Sequence, residues 1–123
     1  DAPGIALNGG GVDRVLIVDA GISVTVSDLT ITNGYGFQLA GGVLNNGTLT
    51  LERVTVTGNT MTTDAGDFWQ GGGGIYNGGG STLMMIDSSV IGNTAAWSGG
   101  GVYSFFDTST TVVRSTIADS FGG

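Results

Sequence analysis

No cysteine, histidine or lysine occurs in the 123 residues, proline occurs once, and the only basic side chains are three arginines. Each absence removes a class of chemistry. Without cysteine there are no disulfides and no thiolate metal sites. Without histidine or lysine most nucleophile and general-base arrangements are lost, and carboxylate chemistry is what remains. Ten acidic residues against three basic ones give a net charge of −7. That is the wrong sign for the counterion displacement that drives nucleic-acid binding, and for an anionic membrane surface. No apolar run approaches the roughly 18 residues of a membrane-spanning helix. Charged residues make up 11% of the chain, under half of the ~25% usual in globular domains. The opening Asp1-Ala2-Pro3 reads as that of a mature product or an excised piece.

Glycine, by contrast, is abundant at 25 residues, beside 40% apolar content. Residues 71–93, GGGGIYNGGGSTLMMIDSSVIGN, set seven glycines around Ile75-Tyr76-Asn77 and then run into Leu-Met-Met-Ile. A flexible linker has the first feature and lacks the second. Repetition explains the combination. Four segments align: GISVTVSDLTITNG (21–34), GTLTLERVTVTGN (47–59), STLMMIDSSVIGN (81–93) and TSTTVVRSTIADS (108–120). Glycine-flanked apolar triplets precede three of them, GGVLN (41–45), GGIYN (73–77) and GGVYS (100–104). The equivalent positions Ile31, Val56, Val90 and Ile117 lie 25, 34 and 27 residues apart, the period of one solenoid coil with insertions in a loop.

Three short strands are predicted in each coil. The first carries Val18, Val43, Ile75 and Val102. The second alternates through Val24 and Val26, Leu49 and Leu51, Leu83 and Met85, Thr110 and Val112. The third does so through Leu29 and Ile31, Val54 and Val56, Ser88 and Val90, Ser115 and Ile117. Alternation of period two buries one set and exposes the other. A corner at Ser27-Asp28, Glu52-Arg53, Ile86-Asp87 and Val113-Arg114 shifts the phase between the last two strands. The fold expected over residues 1–123 is therefore one all-β domain: a right-handed parallel β-helix of about four coils, without capping helices. It reads as a slice or subunit of a longer solenoid or fibre.

The runs GG(V/I)xN, LTLxxVTVTGN and SVIGNTA resemble the repeats of bacterial right-handed parallel β-helix surface proteins. More loosely, they resemble those of polymorphic outer-membrane proteins, whose GGA(I/L/V) and FxxN motifs are met approximately by Gly41-Gly42-Val43, Gly73-Gly74-Ile75 and the asparagines Asn59 and Asn93. The resemblance implies the fold and a surface or secreted setting, among adhesins and passenger proteins.

Equivalent residues in a solenoid form columns, and function is sought along them. Asp28, Arg53, Asp87 and Arg114 alternate in sign down one corner, which reads as a structural charge ladder rather than a lyase-like site, since like charges at strand spacing repel. Gly34, Asn59, Asn93 and Ser120, with Asn45 and Asn77, read as left-handed corners. Thr30, Thr55, Ser89 and Thr116, flanked by Thr32 and Thr57, suggest an ice-binding face, interrupted by Ile91 and Ala118. Aromatics gather on one side: Phe37, Trp69 and Trp97 in loops, Tyr76 and Tyr103 outward on the first strand, and Phe105 and Phe106 beyond. They are candidates for local packing, an interface, or a carbohydrate strip in which Asp64 and Asp67 accept sugar hydroxyls.

Asp64 and Asp67 are also the only close acidic pair off the repeat, and a glycosidase needs two carboxylates facing each other across a sugar. Asn46-Gly47-Thr48 is a glycosylation sequon. The calcium motif of some β-helices is not met, because Gly78-Gly79-Gly80-Ser81-Thr82-Leu83 lacks its aspartate. No cofactor or metal is expected. The function expected is a non-catalytic extracellular or cell-surface module: an adhesin stalk, scaffold or filament subunit that self-associates or continues through its ends. The alternatives are a polysaccharide-binding or polysaccharide-degrading β-helix, and an ice-binding protein. Neither nucleic-acid binding nor membrane insertion is expected.

Overall fold

A computed structural model of the chain describes residues 5–37, 39–63, 71–96 and 99–118. Among them the protein is all-β, without helix, and its sixteen short strands form four parallel sheets. The first strand is β1 (Ala6–Asn8). A first circuit follows with β2 (Leu16–Val18), β3 (Ser23–Ser27), β4 (Thr30–Thr32) and β5 (Tyr35–Phe37). The second comprises β6 (Val43–Asn45), β7 (Thr48–Glu52), β8 (Thr55–Thr57) and β9 (Thr60–Thr62). The third comprises β10 (Ile75–Asn77), β11 (Thr82–Ile86), β12 (Ser89–Ile91) and β13 (Thr94–Ala95). The last described strands are β14 (Val102–Ser104), β15 (Ser109–Val113) and β16 (Thr116–Ala118).

Among the described strands, consecutive ones do not pair. Each pairs with its equivalent one circuit away, giving the orders β2-β6-β10-β14, β3-β7-β11-β15, β1-β4-β8-β12-β16 and β5-β9-β13. Val24, Leu49, Leu83 and Thr110 are in register, as are Val26, Leu51, Met85 and Val112. Leu7, Ile31, Val56, Val90 and Ile117 form a single file. Leu49, Leu51, Ile31, Val56, Leu83, Met85 and Val90 are fully enclosed in one core cluster. Their partners on the outermost strands are not: Leu7, Val112 and Ile117 are 38%, 45% and 43% exposed.

Two features differ from the sequence reading. A circuit has four strands where three were expected, because the residues after each asparagine corner, read as loop, build the sheet β5-β9-β13. Gly36, Met61 and Ala95 turn inward there and are buried. Two or three residues per strand are too few for alternation to show. The second difference is register: Leu16, not Val18, aligns with Val43, and Val18 aligns with Asn45. Val18 is inward all the same. The segment lacks the glycine pair and asparagine that mark the register in later circuits.

The glycine-rich stretch is rigid for a steric reason. A Cβ on Gly41 would lie 2.4 Å from the Gly73 carbonyl oxygen, and one on Gly73 would lie 2.3 Å from that of Gly100. Only glycine lets successive circuits approach so closely at this edge. The N–H groups of Gly42 and Gly74 each donate to a glycine carbonyl in the next circuit at 3.0–3.2 Å.

Leu51→Ala, in the enclosed core, is expected to lower the unfolding free energy by about 2–5 kcal/mol. Val112→Ala, in the same file on the outermost strand, is expected to cost about 1 kcal/mol or less. Urea unfolding of the two variants measures the contrast, and equal losses would contradict an enclosed file.

Candidate functional site

The charged corner follows the strands β3, β7, β11 and β15. Asp28, Arg53, Asp87 and Arg114 all have positive φ, at 60°, 55°, 49° and 44°. Non-glycine residues seldom adopt that conformation. Here the backbone is held by the next circuit: the N–H groups of Asp28, Arg53 and Asp87 donate to the carbonyls of Glu52, Ile86 and Val113, each at 3.0 Å. The side chains are thereby turned into solvent in a row.

Alternation of sign resolves into two bidentate pairs. Arg53 donates through Nε and Nη2 to Asp28 Oδ1 and Oδ2 at 2.5 and 2.9 Å. Arg114 does the same to Asp87 at 2.7 and 3.1 Å. Each arginine reaches back to the previous circuit. Arg53 also lies 3.5 Å from Glu52. Hydrogen bonding from Arg53 holds Asp28 below the ordinary carboxylate range, and Arg114 does so for Asp87. Carboxylates engaged in this way are poor general bases at neutral pH.

Asparagines missed as core residues form the other polar columns. Asn45, Asn59, Asn77 and Asn93 are buried. The expected left-handed conformation falls instead on the residue before, Gly58 and Gly92, and in the first circuit on Asn33. The dipeptide order carries this signal: Asn-Gly at 33–34 but Gly-Asn at 58–59 and 92–93. Asn59 accepts from the Gly34 N–H at 2.8 Å, and donates to the Ile31 carbonyl at 3.1 Å and to Asn93 Oδ1 at 2.9 Å. Asn93 donates to the Val56 carbonyl at 2.9 Å. On the neighbouring edge Asn45 donates to Asn77 Oδ1 at 3.0 Å, and Asn77 to Ser104 Oγ at 3.2 Å. Ser88, also buried, accepts from the Val54 N–H at 3.1 Å. These amides and hydroxyls satisfy backbone groups that the turns leave unpaired inside the stack.

The threonine columns stand in register on β4, β8, β12 and β16, with Thr30-Thr55-Ser89-Thr116 on one side and Thr32-Thr57-Ile91-Ala118 on the other. A threonine pair is present in two circuits only. The aromatic candidates separate. Tyr76 and Tyr103 are in register and stack on each other, with centroids 5.3 Å apart and planes 5° from parallel. Tyr76 is buried, so its face is not open to a sugar. Phe105 and Phe106 pack together at 4.7 Å with rings tilted by 54° and remain exposed. Phe37 is exposed as well, and its carbonyl accepts from Arg14 at 3.1 Å. Trp69, Trp97, Asp64 and Asp67 lie outside the described residues. Among the described residues no group of three or more acidic side chains could hold a metal ion.

Titration tests both the corner and the tyrosine stack. The folded values of Asp28 and Asp87 lie below the unfolded ones. Their contribution to stability is whole above the ordinary carboxylate range and is lost as pH falls through the lower folded values. Replacing Arg53 and Arg114 together by Met is therefore expected to flatten the acid limb of stability below roughly pH 4. Burial, with Tyr103 adding to it, pushes the Tyr76 phenol above its usual value. That contribution is whole below the ordinary phenol range and lost as pH rises, and Tyr76→Phe is expected to remove it. Urea midpoints measured across pH check both signs; unchanged profiles would contradict these pairings.

The chain matches no protein-family model, no curated protein and no solved structure.

Proposed function

We propose that this chain is a right-handed parallel β-helix that serves as a non-catalytic structural module of a cell surface or secreted assembly, extended by stacking through its ends. One observation carries the reading: the file Leu7-Ile31-Val56-Val90-Ile117 is fully enclosed at its three middle members and exposed at both outer ones. Among the described residues, apolar core left exposed on outermost strands is a surface that another layer of strands would cover. The corner charges engaged in pairs, the asparagines engaged in the interior and the tyrosines stacked on each other favour a scaffold over a catalytic groove. Low charge and absent cysteine, together with the resemblance of the repeats, support the surface setting.

A second copy of the chain is the covering layer to test. In sedimentation velocity the protein is expected to gain mass with concentration, and electron micrographs are expected to show linear particles. Ile117→Glu, which sets a charge at the end of the apolar file, should raise the dissociation constant about tenfold or more. A parent protein that stays monomeric at every concentration would overturn assembly through the ends.

A further inference from the structure

Four Asn-Gly dipeptides occur in the chain, at 8–9, 33–34, 46–47 and 77–78. In this dipeptide the glycine nitrogen attacks the asparagine side-chain carbonyl carbon, ammonia leaves, and a five-membered imide forms. Water then opens the imide to aspartate or to β-linked isoaspartate. The reaction needs the glycine N–H free to lose its proton and the backbone free to fold back on the side chain. Asn-Gly is accordingly the most labile asparagine context in an unfolded chain, and this protein carries four.

In the structure every one of these attacking nitrogens is engaged. Gly9 donates to the Thr32 carbonyl at 3.0 Å and Gly78 to the Asn45 carbonyl at 2.8 Å. Gly34 donates to Asn59 Oδ1 at 2.8 Å and Gly47 to Asn45 Oδ1 at 3.1 Å. Gly34, Gly47 and Gly78 are buried. Space is closed as well: a Cβ on Gly34 would sit 2.4 Å from the Gly41 carbonyl oxygen, and one on Gly47 would sit 2.3 Å from that of Ile22. Two of the four guards are side chains of the buried asparagine columns. Those columns therefore do more than satisfy backbone groups.

We propose that Asn33, Asn46 and Asn77 are cryptic deamidation sites, kept inert while the circuits are stacked and converted once the chain unfolds. Conversion is one-way for the fold. Asn77 is fully buried between Asn45 and Ser104, and a carboxylate there is buried without a cation. The β-linked product also lengthens the backbone by one atom and breaks the strand register. A chain that remains unfolded long enough loses the ability to refold. Asn8, on the exposed outer strand β1, is the least protected of the four.

Peptide mapping by mass spectrometry, on the full chain incubated at mildly alkaline pH in buffer or in urea, reads conversion at each asparagine. In buffer Asn33, Asn46 and Asn77 should convert roughly tenfold or more slowly than in urea, with Asn8 between. Asn59→Ser withdraws the acceptor from Gly34, so in the folded variant Asn33 should accelerate while Asn46 and Asn77 keep the parent rates. Equal rates in buffer and urea would overturn the proposal, as would an unchanged Asn33 in a variant whose circular dichroism is native. If that variant does not fold, the parent comparison decides. Chains with converted Asn77 should fail to regain the native spectrum on dilution from urea, and full recovery would overturn the one-way step.

Discussion

Backbone hydrogen bonding between circuits is the constraint from which the rest of this structure follows. Among the described residues no strand pairs with its neighbour in sequence; each pairs with its equivalent one circuit earlier or later. The turns obey the same rule, since the corner N–H groups of Asp28, Arg53 and Asp87 also donate to the next circuit. Where turning leaves a buried backbone group without a backbone partner, Asn59, Asn93 or Ser88 supplies one from the side chain. Equivalent residues are thus held about 4.8 Å apart along the stack. At that separation side-chain identity repeats its consequences: apolar files enclose a core, amides bond to amides, and tyrosine stacks on tyrosine.

The spacing between strands shows which parts of a circuit are fixed. Seven residues separate the starts of β3 and β4, β7 and β8, β11 and β12, and β15 and β16. Five separate β4 from β5, β8 from β9, and β12 from β13. The first interval contains the charged left-handed corner, and the second contains the corner at Asn33, Gly58 and Gly92. An extra residue in either would turn inward side chains outward over the following strand. The interval from β5, β9 or β13 to the next circuit varies from eight to fifteen residues. Length changes are absorbed there and between the first two strands of a circuit, whose starts lie five residues apart at β6 and β7 and seven apart elsewhere, outside the two corners that set the phase of the core.

Strong periodicity made most of the fold legible in the sequence. Alternation through Leu49-Leu51 and Val54-Val56, and the file from Ile31 to Ile117, appear in the structure with the expected partners. Signals weakened where the strands are short or the markers missing. The sheet β5-β9-β13 escaped because its strands offer at most three residues, and β2 was shifted because its segment has neither the glycine pair nor the asparagine. The asparagines were recognised as positions of consequence but assigned to turns. At Asn59 and Asn93 the left-handed conformation falls on the glycine before, which is a property of the dipeptide and not of asparagine alone. The aromatic candidates could not be separated by composition. Tyr76 and Tyr103 pair because they share a register position, while Phe105 and Phe106 stand after β14, beyond the register.

The charged corner gives the stack a direction. Its residues occupy equivalent solvent-facing positions of one conformation, so nothing local selects acid in one circuit and base in the next. Selection comes from the neighbour, because two like charges at strand spacing repel. Both arginines reach toward the earlier circuit, so the column reads acid, base, acid, base from Asp28 to Arg114 and not in reverse. Beyond Arg114, an added circuit keeps the alternation only with an acid at its corner. In a copy stacked in the same sense Asp28 lies one circuit further in, because β1 stands outside β4 with Ala6 aligned to Thr30.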